Sequence, residues 1–212
     1  MTTGMTRTTD PLTGLYAITD DRRDGPFALG ERVAAALAGG ARTIQYRDKS
    51  DDAARRRAEA EAVAARCRDH GALFIVNDDI DLAVAVGAGV HLGVDDPALA
   101  EARSRVSGPG GASCYADFAR AEAAMAAGAD YVAFGRFFPS RTKPDNPPAD
   151  PALLRRARRE LQVPAVAIGG ITPENGGQLV EAGAAALAVI HGVFGQTDIT
   201  AAARRYTDLF RI

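Results

Sequence analysis

The 212-residue sequence contains 25 lysines and arginines, yet only two of these are lysines, Lys49 and Lys143. A chain that carries arginine nearly everywhere else has kept a compact, strongly hydrated ammonium at two places, a charge suited to phosphate or diphosphate. Lys49 closes the run Gln45-Tyr46-Arg47-Asp48-Lys49, and Lys143 lies in the polar, proline-rich run Ser140–Pro148. Two carboxylates have similar surroundings: Asp78 in Asn77-Asp78-Asp79 and Asp96 in Gly93-Val94-Asp95-Asp96. An Asp just before a helix is commonly a cap, but hard oxygen donors beside Arg47, Lys49 and Lys143 suit Mg²⁺ shared between protein and a polyphosphate. Gly169-Gly170-Ile171-Thr172, followed by Pro173, lets backbone N–H groups close on a phosphate, with His191-Gly192 as a second wall. A plain tight turn has the same composition.

These groups meet only if the chain brings them to one edge. Four segments repeat one order of alanine-rich stretch, glycine and short apolar run. They end in the strand candidates Thr43–Tyr46, Val90–Leu92, Tyr131–Phe134 and Ala186–Ile190. Glycine stops a helix cheaply, and a short apolar run fits a strand buried on both faces of a parallel sheet. Leu15–Thr19, Leu73–Val76, Gly111–Ser113 and Ala165–Ile168 bring the strands to eight, separated by helical patterns such as Asp51–His70 and Leu153–Leu161. The alternation predicts an α/β fold, a single (β/α)₈ TIM barrel over residues 13–212 behind a frayed or disordered 1–12. In such a barrel the chemistry sits on the loops after the C-terminal strand ends, where all the groups named above fall. The run 140–148 is longer than a minimal loop and is expected to close over substrate as a lid.

Composition narrows the function classes. Hydrophobic residues make up 47% and charged residues 25%, with a net charge of -2, so no general attraction to nucleic acid or to an anionic membrane is expected. Cys67 and Cys114 lack CxxC spacing and any disulfide-rich context, which suits a reducing cytoplasm. Met1–Pro11 has no apolar core and does not read as a signal peptide, and no apolar run is long enough to span a bilayer. The expected partners are small molecules, and a homo-oligomer is compatible with the sequence. His91, at the end of an apolar strand, reads as a hydrogen-bonded structural residue, Cys114 as a packing residue, and Arg55-Arg56-Arg57 as a solvated helix face.

From about Leu15 to Phe194 the sequence resembles the thiamine-phosphate synthases. The motifs that carry this are Leu15 through Asp20, Gln45 through Lys49, Phe74 through Asp79, Gly89 through Gly93, Gly135 through Pro144 and Ala167 through Thr172. The resemblance implies an Mg²⁺-dependent enzyme that joins 4-amino-2-methyl-5-hydroxymethylpyrimidine diphosphate to a thiazole phosphate. By the same resemblance Gln45, Arg47, Lys49, Asn77, Ser113 and Lys143 face the pyrimidine diphosphate, with Tyr46 and Asp48 in the same run. Asp78 and Asp96 match metal ligands, and Ser140, Arg141, Thr142, Gly170, Ile190 and His191 match the thiazole phosphate site. Arg47, Lys49, Lys143 and Ser113 would carry the chemistry. Three positions depart from the pattern: Val94, where Gln is frequent; Tyr115, where His is frequent; and His191, where Ser is frequent.

The implied chemistry is dissociative: pyrophosphate leaves, and the thiazole nitrogen attacks the pyrimidine methyl cation. Three rivals remain at this point. A thiazole tautomerase of the same barrel family would not need Asp78, Asp96 and Lys143. A Schiff-base aldolase would need a buried lysine at a strand end. A phosphate-binding barrel without turnover would keep the site and lose the reaction.

Overall fold

Successive strand side chains point to opposite faces, and in this chain both faces are largely apolar. The computed structural model describes residues 12–93, 99–139 and 148–211. Within them the order is β1 (Gly14–Ile18), α1 (Gly25–Ala38), β2 (Thr43–Tyr46), α2 (Ala53–His70), β3 (Leu73–Asn77), α3 (Ile80–Val86), β4 (Gly89–Leu92) and α4 (Leu99–Arg105). The second half runs β5 (Gly110–Tyr115), α5 (Phe118–Ala126), β6 (Tyr131–Phe134), α6 (Ala152–Glu160), β7 (Ala165–Ile168), α7 (Gly177–Glu181), β8 (Ala186–Val189) and α8 (Ile199–Thr207). Each strand pairs in parallel with the next, and β8 returns to β1, with Gly14 opposite Ala186 and Ala17 opposite Val189. The fold is the closed (β/α)₈ barrel that the alternation predicts.

Two cores follow from the period of two. Leu15, Ala17, Ile44, Phe74, Val76, Val132, Phe134 and Leu187 join the apolar layer between strands and helices. Their neighbours Tyr16, Ile18, Ile75, Tyr131, Ala133, Val166, Ala186 and Ala188 form a separate cluster inside the barrel. The inner cluster pairs two tyrosines, on β1 and β6, with small residues that leave space beside the rings: Ala133 on β6 itself, and Ala186 and Ala188 on β8. Gly111 on β5 is part of that space: a Cβ there would lie 2.0 Å from the Tyr131 ring.

The helices are held at their starts by side chains. Asp52, Asp79, Asp117 and Asp198 each accept a backbone N–H in the first turn of α2, α3, α5 and α8, caps worth about 1 kcal/mol apiece. At the β3–α3 junction the cap is therefore Asp79. Asp78, one residue earlier, has a positive φ of 65° and its N–H donates to His91 O at 2.9 Å. No described helix is long and apolar enough to cross a membrane.

Candidate active site

The loop from β2 to α2 forms a charged rim. The Arg47 N–H donates to Thr19 Oγ1 at 2.9 Å, and its guanidinium reaches Asp21 at 3.0 Å. Lys49 pairs with the carboxylate of Asp78, across the gap from β2 to β3. Asp79 also receives Arg56 at 2.6 Å, so the two adjacent aspartates serve different cations. Tyr46 and Asp48, expected near substrate, are engaged beneath the loop instead. The Tyr46 hydroxyl donates to Glu59 Oε2 at 2.7 Å, and Arg55 bridges Glu59 at 3.3 Å, Asp48 at 2.7 Å and Ser50 Oγ at 2.6 Å. Glu59 is only 2% exposed. Burial pushes the Asp48 carboxyl up, but hydrogen bonds from Ser50 and the charge of Arg55 outweigh it and leave the group below its ordinary value. Arg55, expected on a solvated face, is thus part of the brace.

Inside the rim lies a cavity of about 500 Å³ at the C-terminal mouth of the barrel, lined among others by Gln45, Arg47, Asn77, Ser113, Gly170, Ile190 and His191. These seven expected residues from five strand ends come together around one space. Its floor is polar but neutral. The Gln45 amide Nε2 donates to the Tyr16 hydroxyl at 2.8 Å, and the Tyr16 and Tyr131 hydroxyls are 2.9 Å apart. His91 joins them, with Nδ1 3.0 Å from the Tyr131 hydroxyl and Nε2 2.9 Å from Ser113 Oγ. The Tyr131 ring also stacks on the His91 imidazole, centroids 5.5 Å apart. Burial pushes both tyrosine hydroxyls well above their ordinary range, so they stay protonated and able to donate.

The opposite wall is built from backbone. Gly169 and Gly170 both have positive φ, and a Cβ on Gly170 would meet Pro139 O at 2.3 Å, so this turn packs against the loop after β6 only as glycine. Asn175 fixes the turn that follows: its amide donates to Gly170 O at 3.1 Å and accepts from the Thr172 N–H at 2.8 Å. After β8 the Val193 and Phe194 N–H groups turn back onto Ile190 O at 3.1 and 2.9 Å, bringing His191 and Gly192 to the cavity edge.

Asp96, Ser140, Arg141, Thr142, Lys143, Val94 and all of the expected lid except Pro148 lie outside the described residues, as do 1–11. Tyr16, Tyr131, Asn175 and Arg136, which also lines the cavity, were missed by sequence reasoning. The signal for the two tyrosines was present, since both are polar-tipped residues at inward positions on apolar strands. Cys67 and Cys114 are buried, and burial pushes both thiols up to about 12, which fits packing rather than reaction. Lys49 is the one lysine among the described residues, and its side chain is 59% exposed and ion-paired, unlike the buried amine an aldolase needs.

Residues 15–193 match the family model described as thiamine monophosphate synthase. The chain belongs to this family. Among thiamine-phosphate synthases, the protein of Nitrosococcus oceani is 54% identical over 200 residues, covering 93% of this chain and 92% of its own. That of Chromobacterium violaceum is 55% identical over 202 residues, covering 93% and 96%. Among solved structures, thiamine phosphate pyrophosphorylase from Pyrococcus furiosus superposes with a TM-score of 0.83 at 33% identity, covering 94% of this chain and 95% of that one. The thiamine monophosphate synthase relatives span nearly the full barrel, so the match extends to every strand that contributes to the cavity.

Proposed function

We propose that the chain is a thiamine-phosphate synthase that condenses 4-amino-2-methyl-5-hydroxymethylpyrimidine diphosphate with a thiazole phosphate, plain or carboxylated, to give thiamine phosphate and pyrophosphate. The observation that carries this reading is a neutral, hydrogen-bonded floor under a charged rim, in a chain of this family. An aminopyrimidine needs neutral donors and acceptors, and its diphosphate needs charge; the floor and rim supply them in that order.

In the proposed reaction the C–O bond between the pyrimidine methylene and the diphosphate breaks, and the electron pair leaves with the diphosphate. The lone pair of the thiazole nitrogen then forms the new C–N bond. No protein nucleophile is required. Arg47, Lys49 and Lys143 would neutralise the charge that develops on the leaving group, and the Ser113 hydroxyl would donate to it. The glycines after β7 and the turn after β8 would hold the thiazole phosphate through backbone N–H groups.

Asp78 and Asp96 are the residues we assign to Mg²⁺. Asp78 fits such an ion: it is not the helix cap, its side chain is 24% exposed at the mouth, and it already faces a cation. Mg²⁺ usually takes one or two carboxylates plus phosphate oxygens and water rather than a full protein cage. When bound, the ion would add positive charge to the diphosphate and assist its departure, an effect worth several kcal/mol.

The test is thiamine phosphate formation from both substrates with Mg²⁺ and with excess EDTA. Product that disappears with EDTA and returns with added Mg²⁺ supports the reading. Folded protein that makes no product but isomerises the thiazole phosphate would replace it with the tautomerase.

A further inference from the structure

Gln45 and Ser113 lie on β2 and β5, on opposite sides of the cavity floor, and three side chains connect them: Tyr16, Tyr131 and His91. Each member of this series has a restricted supply of protons. A phenol has one, a neutral imidazole has one, and a serine hydroxyl has one. Their directions are therefore not independent.

The accounting starts at Gln45, whose Nε2 donates to Tyr16. Tyr16 accepts there, so its own proton is directed to Tyr131, its other hydroxyl partner. Tyr131 accepts from Tyr16 and must donate onward to His91 Nδ1. With Nδ1 accepting, the imidazole proton resides on Nε2 and is donated to Ser113 Oγ. Ser113 accepts from the protein and has its own proton left for the cavity. The burial that keeps both phenols protonated preserves every link.

We propose that Tyr16, Tyr131 and His91 are positioning residues that form a one-way hydrogen-bond chain and fix the polarity of the pocket at both ends. At Ser113 the pocket receives a hydroxyl donor, suited to an anionic oxygen. At Gln45 it receives the amide Oε1 and the remaining N–H, which complement an amino group next to a ring nitrogen. Reversing any link requires reversing them all and turning the Gln45 amide over. The reversed pocket would present an acceptor to the anion.

The ligand half of this inference rests on the proposed substrates, whereas the direction of the chain does not. The experiment keeps the two apart. In protein labelled with ¹⁵N-histidine, three imidazoles are observed, His70, His91 and His191, with His91 assigned by loss of its signals in His91→Gln. The wild-type free protein is expected to show His91 as the Nε2–H tautomer. Tyr131→Phe removes the donor to Nδ1 and is expected to give a mixture of tautomers. The same variant is expected to weaken binding of inorganic diphosphate with Mg²⁺ about tenfold by calorimetry, the scale of a hydrogen bond to a charged group. Adding Ser113→Ala to Tyr131→Phe should cost less than a further twofold, because the tyrosine acts through the serine. Should Tyr131→Phe fail to fold, Tyr16→Phe breaks the same chain one link earlier and is read in the same way. An Nδ1–H tautomer in the wild type, or fully additive losses in the double variant, overturns the proposal. A protein with the expected tautomer and non-additive diphosphate binding that makes no thiamine phosphate would retain the chain and discard the proposed reaction.

Discussion

On the cavity floor, Gln45, Tyr16, Tyr131, His91 and Ser113 are joined hydroxyl to amide to imidazole without a formal charge. At the rim the loop after β2 crowds Arg47, Asp48, Lys49, Arg55 and Glu59 beside Asp78. Both regions are dense in polar groups, and they handle water differently. Neutral groups taken into the barrel lose little if each finds a partner, whereas a charge taken there must be matched at once. The rim charges sit where water can still reach most of them, and the most buried, Glu59, is the one given both a hydroxyl and a guanidinium. The floor can thus fix orientation, and the rim can meet the charge of a ligand.

The largest effect that would sharpen this contrast is expected at Asp78. Asp78→Asn keeps a residue type that tolerates the positive φ while removing the charge. We expect kcat to fall about a thousandfold, the scale of about 4 kcal/mol, with little change in Tm. Near-normal turnover would take Asp78 out of the metal site and leave it only its pairing with Lys49. Next comes Arg55→Ala, which strands a buried carboxylate. It should cost about 3 kcal/mol, a fall of roughly 6–12 °C in Tm measured by calorimetry, with much less effect on kcat. An unchanged Tm would mean that the brace is no more than a surface contact. The smallest effect belongs to Asp48. Its folded-state pKa lies below the ordinary 3.8, so its ionised form contributes stability at neutral pH that is lost as pH falls below that value through the folded pKa. Asp48→Asn should therefore be less stable by about 1 kcal/mol at pH 7, with urea midpoints converging as pH drops from 4 towards 3. A constant gap across that range would assign the difference to packing rather than charge.

The barrel was legible because its signals are periodic. Apolar runs such as Ala165–Ile168 and Tyr131–Phe134 match their strands to the residue, while β5 runs Gly110–Tyr115, one residue before and two residues past the expected Gly111–Ser113. The expected residues that line the cavity followed where their place was unusual, as with Gly170 and the strand-end Gln45. Tyr46 and Asp48 shared a motif with Gln45, but the strand alternation that points Gln45 inward turns Tyr46 outward to the helix layer, where Glu59 waits on α2. Sequence order alone did not separate the two. His91 read as a structural, hydrogen-bonded residue and is one, yet its partners come from 22 and 40 residues further along the chain. Such pairings depend on closure of the barrel, and no local pattern announces them.

Gly111 ties two properties of the pocket into one choice. Any side chain on that glycine would have to displace the Tyr131 ring from below. The pocket would then become shallower at the same moment that the phenol left its place between Tyr16 and His91. How large a ring fits and how that ring is oriented are thus not separately adjustable along β5. A lineage altering pocket size through this strand would surrender its control of orientation as well.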